Sequence, residues 1–242
     1  MPETVQLFIT CLIDSFFPQI GEAMVRVLNR LGLQVEFPAE QTCCGQPAFN
    51  AGLRAEARPL AEHTIRAFER TCGDIVIPSG SCAHMIRHGY LELFRDDPPW
   101  LKRAQVLAAR VYEFTEYLVD VRSVTDLGAR WPGRLTYHPS CHLLRGLGID
   151  RQPRLLLENV RQAEIVLLAE REDCCGFGGV FSVEHPELSA ELLKRKIANL
   201  EKTEAQTLVV ADTGCLMHIQ GGLMRRGKPQ RVVHIAEVLD HR

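Results

Sequence analysis

The stretch Asp173-Cys174-Cys175-Gly176-Phe177-Gly178-Gly179 places two adjacent cysteines before a glycine, and Cys43-Cys44-Gly45-Gln46-Pro47 repeats this pattern earlier in the chain. Each pair has one outlying cysteine upstream and another downstream. The upstream spacings are 32 residues (11 to 43) and 33 residues (141 to 174), and the downstream spacings are 38 (44 to 82) and 40 (175 to 215). Eight of the nine cysteines therefore form two matched sets, which indicates an internal duplication: Cys11, Cys43, Cys44 and Cys82, then Cys141, Cys174, Cys175 and Cys215.

The composition is that of a folded protein with a sizeable core. Of 242 residues, 46% are hydrophobic and 24% are charged, with a net charge of −2. This balance gives no electrostatic reason to expect nucleic acid or an acidic membrane surface as a partner. No apolar run approaches the ~20 residues of a membrane helix, and the short apolar segment 5–13 lacks the basic flank of a signal peptide. We therefore expect a cytoplasmic protein without direct membrane insertion.

Strand-like and helix-like segments alternate along both halves of the chain. Such alternation predicts an α/β fold built from parallel βαβ units with right-handed crossovers. We expect two pseudo-symmetric parallel-sheet halves, a first Cys-Cys-Gly domain over 1–97 and a second over 134–242, joined by a helical linker over 98–133. The predicted strands cover 5–12, 33–37, 74–78, 134–138, 164–168, 207–211 and 231–235, and the main predicted helices cover 18–31, 54–72, 153–160 and 186–202.

The outlying cysteines lie where predicted strands give way to loops or helices. Because open α/β sheets place their ligand sites at the carboxyl ends of strands, we expect these thiols at one edge of each sheet, with the Cys-Cys-Gly loop beside them. The glycine after each pair allows the backbone unusual dihedral angles and close approach.

Four thiolates per half match the ligand count of an iron–sulfur cluster or of a tetrahedral zinc site. Adjacent cysteines chelate a single small ion awkwardly, which favours a multi-iron cluster without excluding zinc. A thiol–disulfide enzyme is a third interpretation, and it requires exposed thiols of low pKa.

Several longer motifs carry a resemblance to a known family. Residues 42–47, 78–82, 137–145 and 174–179 resemble the cysteine-rich Cys-Cys-Gly domain proteins, which include the cysteine-rich subunit of heterodisulfide reductase and the glycolate oxidase iron–sulfur subunit. The likeness spans essentially the whole chain and extends to the lactate-utilisation protein A family. It implies one or two [4Fe–4S]-type clusters, cubane or noncubane, held by the eight cysteines, and two partner proteins, one of them ferredoxin-like, that oxidise L-lactate to pyruvate together with this chain.

On this resemblance the chain is a non-autonomous, electron-transferring subunit of an oxidoreductase. A glycolate-oxidising or heterodisulfide-reductase-like subunit and a zinc-stabilised scaffold that binds partners remain alternatives. No residue is indicated as catalytic.

The sequence departs from the heterodisulfide reductase subunit at two matched positions. Where that protein has the first cysteine of a C-x-x-C pair, this chain has Ser79 and Asp212. Five cysteines per copy are thereby reduced to four, and both residues are candidates for contacts to cluster ligands.

Four histidines lie near the cysteines. His138 and His142 flank Cys141 and are candidates for hydrogen bonds to cluster sulfur or for proton handling. His84 and His218 are weaker candidates. The ninth cysteine, Cys72, has no counterpart in the second set and is expected to be a thiol of the core.

Overall fold

The computed structural model describes residues 3–242 and consists of two four-stranded sheets in which every pair of strands is parallel. The first sheet contains β1 (Thr4–Leu7), β2 (Gln34–Glu36), β3 (Ile75–Ile77) and β4 (Val111–Glu113). The second contains β5 (Arg130–His138), β6 (Arg161–Ile165), β7 (Thr207–Val210) and β8 (Arg231–His234). Their orders, β2-β1-β3-β4 and β6-β5-β7-β8, are equivalent, so the predicted α/β fold with two pseudo-symmetric halves is confirmed.

Helices connect the strands in the same sequence in each half. The first half has α1 (Cys11–Phe16), α2 (Pro18–Arg30), α3 (Gln46–Asn50), α4 (Arg54–Glu69), α5 (Gly80–His84), a π-helical turn (Met85–Gly89), α6 (Tyr90–Leu93), α7 (Pro98–Ala108), α8 (Phe114–Glu116) and a second π-helical turn (Tyr117–Val121). The second half has a π-helical turn (His142–Gly146), α9 (Arg151–Glu158), α10 (Phe181–Glu184), α11 (Pro186–Glu201), α12 (Thr213–Arg225) and α13 (Ile235–Asp240). None of the helices within 3–242 is long and apolar enough to cross a bilayer.

The helix α2 shows how the pattern of apolar residues places an element. It begins at Pro18, a residue favoured in the first turn because that turn needs no amide donor. Its apolar face recurs at three- and four-residue steps and is buried. Its last turn is held by Arg26 and Arg30, which pair with Asp240 at 2.6 and 2.5 Å. Because Asp240 ends α13, the last helix of the second half packs on the first half.

This packing between halves is reciprocal. The helix α13 contacts α2, and the equivalent α8, which follows β4, contacts α9. In the same way α5 contacts the π-helical turn at 142–146, and α12 contacts α1. The two halves are thus joined by matched pairs of helices at the carboxyl edges of both sheets.

The segment 98–133 departs from the predicted helical linker. It contains α7, but it also supplies β4, which pairs with β3 and completes the first sheet, and the beginning of β5. Val111, Phe114 and Leu118 recur at helical spacing, so the sequence gives no separate strand signal at 111–113. The domain boundaries themselves stay a prediction.

One close approach of the two halves depends on a glycine. A Cβ atom on Gly80 would lie 2.6 Å from the Leu143 Cβ and 2.9 Å from its Cα and backbone nitrogen. Backbone atoms cannot move aside as a flexible side chain can, so any larger residue at 80 separates α5 from the turn at 142–146.

We predict that Gly80→Ala lowers the free energy of unfolding by about 1–3 kcal/mol, because the added methyl group overpacks this contact. The matched control is Gly221→Ala in α12, where a Cβ meets nothing within 4 Å. That change should be neutral or stabilising by up to about 1 kcal/mol through helix propensity. Anaerobic denaturant titration measures both; equal stabilities of the two variants would contradict the packing.

Candidate metal centre

The eight paired cysteines line one cavity between the two halves. Its empty volume is about 820 Å³, including its open mouth. The sequence predicted two sets of four thiols, and the structure brings both sets to the walls of the same cavity. The other cavity residues are mostly small or polar, and they include Thr10, Gln46, Asn50, Ser79, Ser81, Ser140, His142, Phe177, Asp212 and Thr213.

In the first half, each cysteine is positioned by an element that begins at the sheet edge. Cys11 opens α1, whose Thr10 side chain accepts a hydrogen bond from the Ile13 amide at 3.4 Å. The Cys11 Sγ lies 3.7 Å from the Cys43 Sγ. The Sγ atoms of Cys44 and Cys82 are 3.3 Å apart, and both residues are buried. The half therefore holds an outer pair of thiols and an inner pair.

The second half repeats this arrangement. The Sγ atoms of Cys175 and Cys215 are 3.4 Å apart and buried, while Cys141 and Cys174 are half-buried. The amide of Gly176 donates to the Cys174 Sγ at 3.3 Å. Gly176 has a φ of +94°, and a Cβ there would lie 2.5 Å from a backbone carbonyl of α11, so the loop requires glycine.

Hydrogen bonds among the thiols lower the pKa of one cysteine in each half. The thiol of Cys11, then that of Cys44, donates to the Cys43 sulfur, and these bonds lower the pKa of Cys43 well below its usual range. The same bonds raise the pKa values of Cys11 and Cys44.

Cys174 receives equivalent bonds, first from Cys141 and then from Cys175, and its pKa is likewise lowered. Since metal ligation by cysteine requires the thiolate, each half is polarised for metal binding.

The donor set fits a thiolate-bound metal centre. Each half offers four sulfurs, and soft thiolate ligands suit iron–sulfur clusters or zinc. In the second half, a ring nitrogen of His138 and the Sγ atoms of Cys175 and Cys215 lie within 4.8 Å of one another. The role of the eight cysteines as ligands stays a prediction, and the geometry is compatible with it.

Ser79 and Asp212, the two positions that depart from the C-x-x-C pattern, meet each other across the halves. The Ser79 Oγ and the Ser81 amide both donate to the Asp212 Oδ2 at 3.0 Å. The Asp212 Oδ1 accepts from the Gly214 amide at 3.1 Å and thereby caps α12. These buried groups line the cavity and connect the two sets of cysteines.

The four candidate histidines are distributed unequally. His142 lines the cavity, with its Nδ1 3.7 Å from the Cys141 Sγ and its Nε2 3.4 Å from the Gln46 amide. His138 is buried beside the inner sulfurs. Burial, then the charge of Lys196, lowers the pKa of His138 to about 3. The His84 ring centroid lies 5.2 Å from that of His142 with the rings tilted, and His218 contacts Ser189 of α11 at 3.3 Å. Neither these two residues nor His138 is among the residues of the cavity wall.

The sequence analysis was wrong about the setting of Cys72 and missed Lys196. Cys72 is exposed, so the prediction of a core thiol was wrong; it follows the end of α4, where the chain turns at the surface. Lys196 is fully buried and donates to the carbonyls of Glu170 and Arg171 at 3.0 and 3.2 Å. The sequence does contain a signal for this burial: Lys196 lies one helical turn from both Leu192 and Leu200, on the apolar face of α11.

Comparison with known proteins agrees with this geometry. Residues 5–87 and 135–220 each match the family model of the cysteine-rich domain designated CCG. A crystal structure of a hypothetical protein from Helicobacter pylori aligns with a TM-score of 0.57 at 9% identity, over 99% of this chain and 48% of that one, which shows a shared fold. Fold and site thus define a protein with two cysteine-rich domains of the CCG class.

Two similar sequences carry the same name. Lactate utilization protein A of Exiguobacterium sp. is 48% identical over 237 residues, covering 98% of this chain and 96% of the relative. Its namesake from Geobacillus thermodenitrificans is 49% identical over 238 residues, covering 98% and 99%. The chain belongs to the lactate utilization protein A family.

We predict that Asp212→Asn lowers the free energy of unfolding by about 1–3 kcal/mol, because an asparagine amide cannot accept from all three donors and leaves one buried donor unsatisfied. Anaerobic denaturation measures the effect. The control is Asp96→Asn, which removes the same charge at an exposed position and should change stability by less than about 0.5 kcal/mol. Equal effects of the two substitutions would contradict a structural role for the bond between halves.

Proposed function

We propose that this chain is an iron–sulfur electron-transfer subunit of a complex that oxidises L-lactate to pyruvate. The observation that carries the proposal is the gathering of eight thiols, four of them buried, at one cavity in a member of this family. An iron–sulfur cluster bound there supplies one-electron chemistry. Membership of the family supports lactate as the substrate of the complex.

The residues of the cavity favour electron relay over substrate binding. Among the residues described, the cavity wall includes Asp212 but neither an arginine nor a lysine, which are the usual partners of a substrate carboxylate. Lactate oxidation is therefore assigned to a partner protein. We propose two partners, one of them ferredoxin-like, and a location in the cytoplasm.

The thiols have distinct tasks in this proposal. The inner cysteines hold the metal away from water, and the amides of Gly45 and Gly176 donate to the Cys43 and Cys174 sulfurs at 3.5 and 3.3 Å. Such hydrogen bonds stabilise negative charge on sulfur and so favour the thiolate that a metal requires. The outer cysteines stand closer to solvent, where a partner can exchange electrons.

We predict that protein purified without oxygen contains about four irons and four acid-labile sulfides per loaded half, with an EPR signal on reduction. Replacing Cys43 and Cys44 together by serine should remove the centre of the first half and keep that of the second. Cys72→Ser is the control, because this exposed thiol lies outside the cavity. Zinc without sulfide in the wild-type protein would support the scaffold alternative, and unchanged iron in the double variant would refute the ligand assignment.

We predict that L-lactate bleaches the visible absorption of the chain only when the complete complex is present. The isolated chain should remain oxidised, because its cavity offers lactate no cationic partner. Stopped-flow absorbance with L-lactate, D-lactate and glycolate measures this. Reduction of the isolated chain by lactate would place the substrate site within it, and faster reduction of the complex by glycolate would favour the glycolate-oxidising alternative.

A further inference from the structure

The two halves differ at one buried position beside the inner thiols. His138 and Phe8 each lie three residues before the first cysteine of their set. Strand register gives the same equivalence. Leu7, which precedes Phe8, pairs with Val76, and Tyr137, which precedes His138, pairs with Val209. Phe8 packs against Phe68 with ring centroids 5.7 Å apart. The first half thus has the apolar ring of Phe8 at the position where the second half has the imidazole of His138.

The hydrogen bonding of His138 fixes which ring nitrogen carries the proton. Its Nδ1 lies 3.3 Å from the Arg171 carbonyl oxygen, which can only accept, so the Nδ1–H donates. The same carbonyl accepts from the Lys196 Nζ at 3.2 Å. A charged imidazole would be buried next to this ammonium, so the ring is neutral and its Nε2 has a free lone pair.

That Nε2 atom is buried and has no hydrogen-bond partner among the residues described. An unpaired polar atom in the interior costs free energy, because it has lost its hydrogen bonds to water without gaining others. Cys175 and Cys215 are the neighbouring ligand-type side chains, with their Sγ atoms and a ring nitrogen of His138 within 4.8 Å of one another. An imidazole whose Nδ1–H is held by a backbone carbonyl is the arrangement that metal-binding histidines adopt.

We propose that the Nε2 of His138 is a nitrogen ligand of the metal centre in the second half, in addition to the cysteines. This inference rests on the proposed iron–sulfur function. The first half, with Phe8 at the equivalent position, has sulfur ligands only. The two centres are therefore inequivalent in their ligands.

Lys196 adds a second difference, in the charge beside the centre. The loop glycines align the two long helices: Gly45 faces the Ala57 carbonyl and Leu60, and Gly176 faces the Ser189 carbonyl and Leu192. Lys196 of α11 thereby corresponds to Thr64 of α4. A buried cation near the second centre stabilises its reduced, more negative state, and the first half has no cation at that position.

The test is nitrogen hyperfine spectroscopy of the reduced, anaerobically purified protein. Wild-type protein labelled with ¹⁵N-histidine should show a strong coupling of one directly bound nitrogen, absent in His138→Phe, which copies the first half. His142→Phe is the matched comparison, because the His142 Nδ1 lies 3.7 Å from the Cys141 Sγ and its ring lines the cavity, which makes it the competing candidate for a nitrogen ligand. That variant should keep the coupling. A redox titration should also resolve two midpoints in wild-type protein, because the buried Lys196 lies beside the second centre only.

The outcomes separate this inference from the proposed function. A wild-type protein without iron and labile sulfide would refute the proposed function itself. Iron and sulfide present, but without a directly bound histidine nitrogen in the wild-type spectrum, would refute only the ligand assignment, and this measurement needs no variant to fold. Loss of the coupling in His142→Phe instead of His138→Phe would also overturn it.

Discussion

The parallel direction of the strands is the constraint on which the site depends. The central strands are β1 and β3 in the first sheet and β5 and β7 in the second. The two central strands of each sheet end at the same edge, and each is followed by a cysteine. The matched helix contacts between halves then bring the two edges together. The buried hydrogen bond between Ser79 and Asp212 lies at that junction. The direction of the strands and one interface between the halves are therefore enough to gather eight thiols. The two sets of cysteines are nevertheless far apart in the sequence.

Close packing at this junction leaves little freedom. Gly80 abuts the backbone of residue 143, and Gly146 lies against the His84 ring, with 2.5 Å between a Cβ built there and its Cδ2. Both contacts join α5 of the first half to the π-helical turn at 142–146 of the second half. The thiols are therefore held by contacts of both halves, which suits the proposed role in electron transfer, since such a site must keep its shape when its charge changes.

The sequence was sufficient for much of this picture. Periodicity predicted α2, α4 and α11 to within a few residues, since long amphipathic helices carry a strong signal. The paired cysteines predicted duplicated sites at strand ends. The fourth strand of the first sheet was missed because Val111, Phe114 and Leu118 recur at helical spacing. The sharing of one cavity was also missed, because a pseudo-twofold interface leaves no pattern along the chain. The exposed position of Cys72 is a similar case, since exposure depends on how the end of α4 meets its surroundings.

The differences between the halves are more informative than their likeness. A duplicated fold can keep its core by repeating apolar residues, as Phe8 does with Phe68 in the first half. The second half instead buries His138, Lys196 and Asp212, and each such group costs free energy unless it is paired. Asp212 receives three donors and Lys196 two carbonyls, so their costs are offset within the protein. The Nε2 of His138 alone among these three groups is left unsatisfied, and this difference is the basis of the proposed metal ligand beside Cys175 and Cys215.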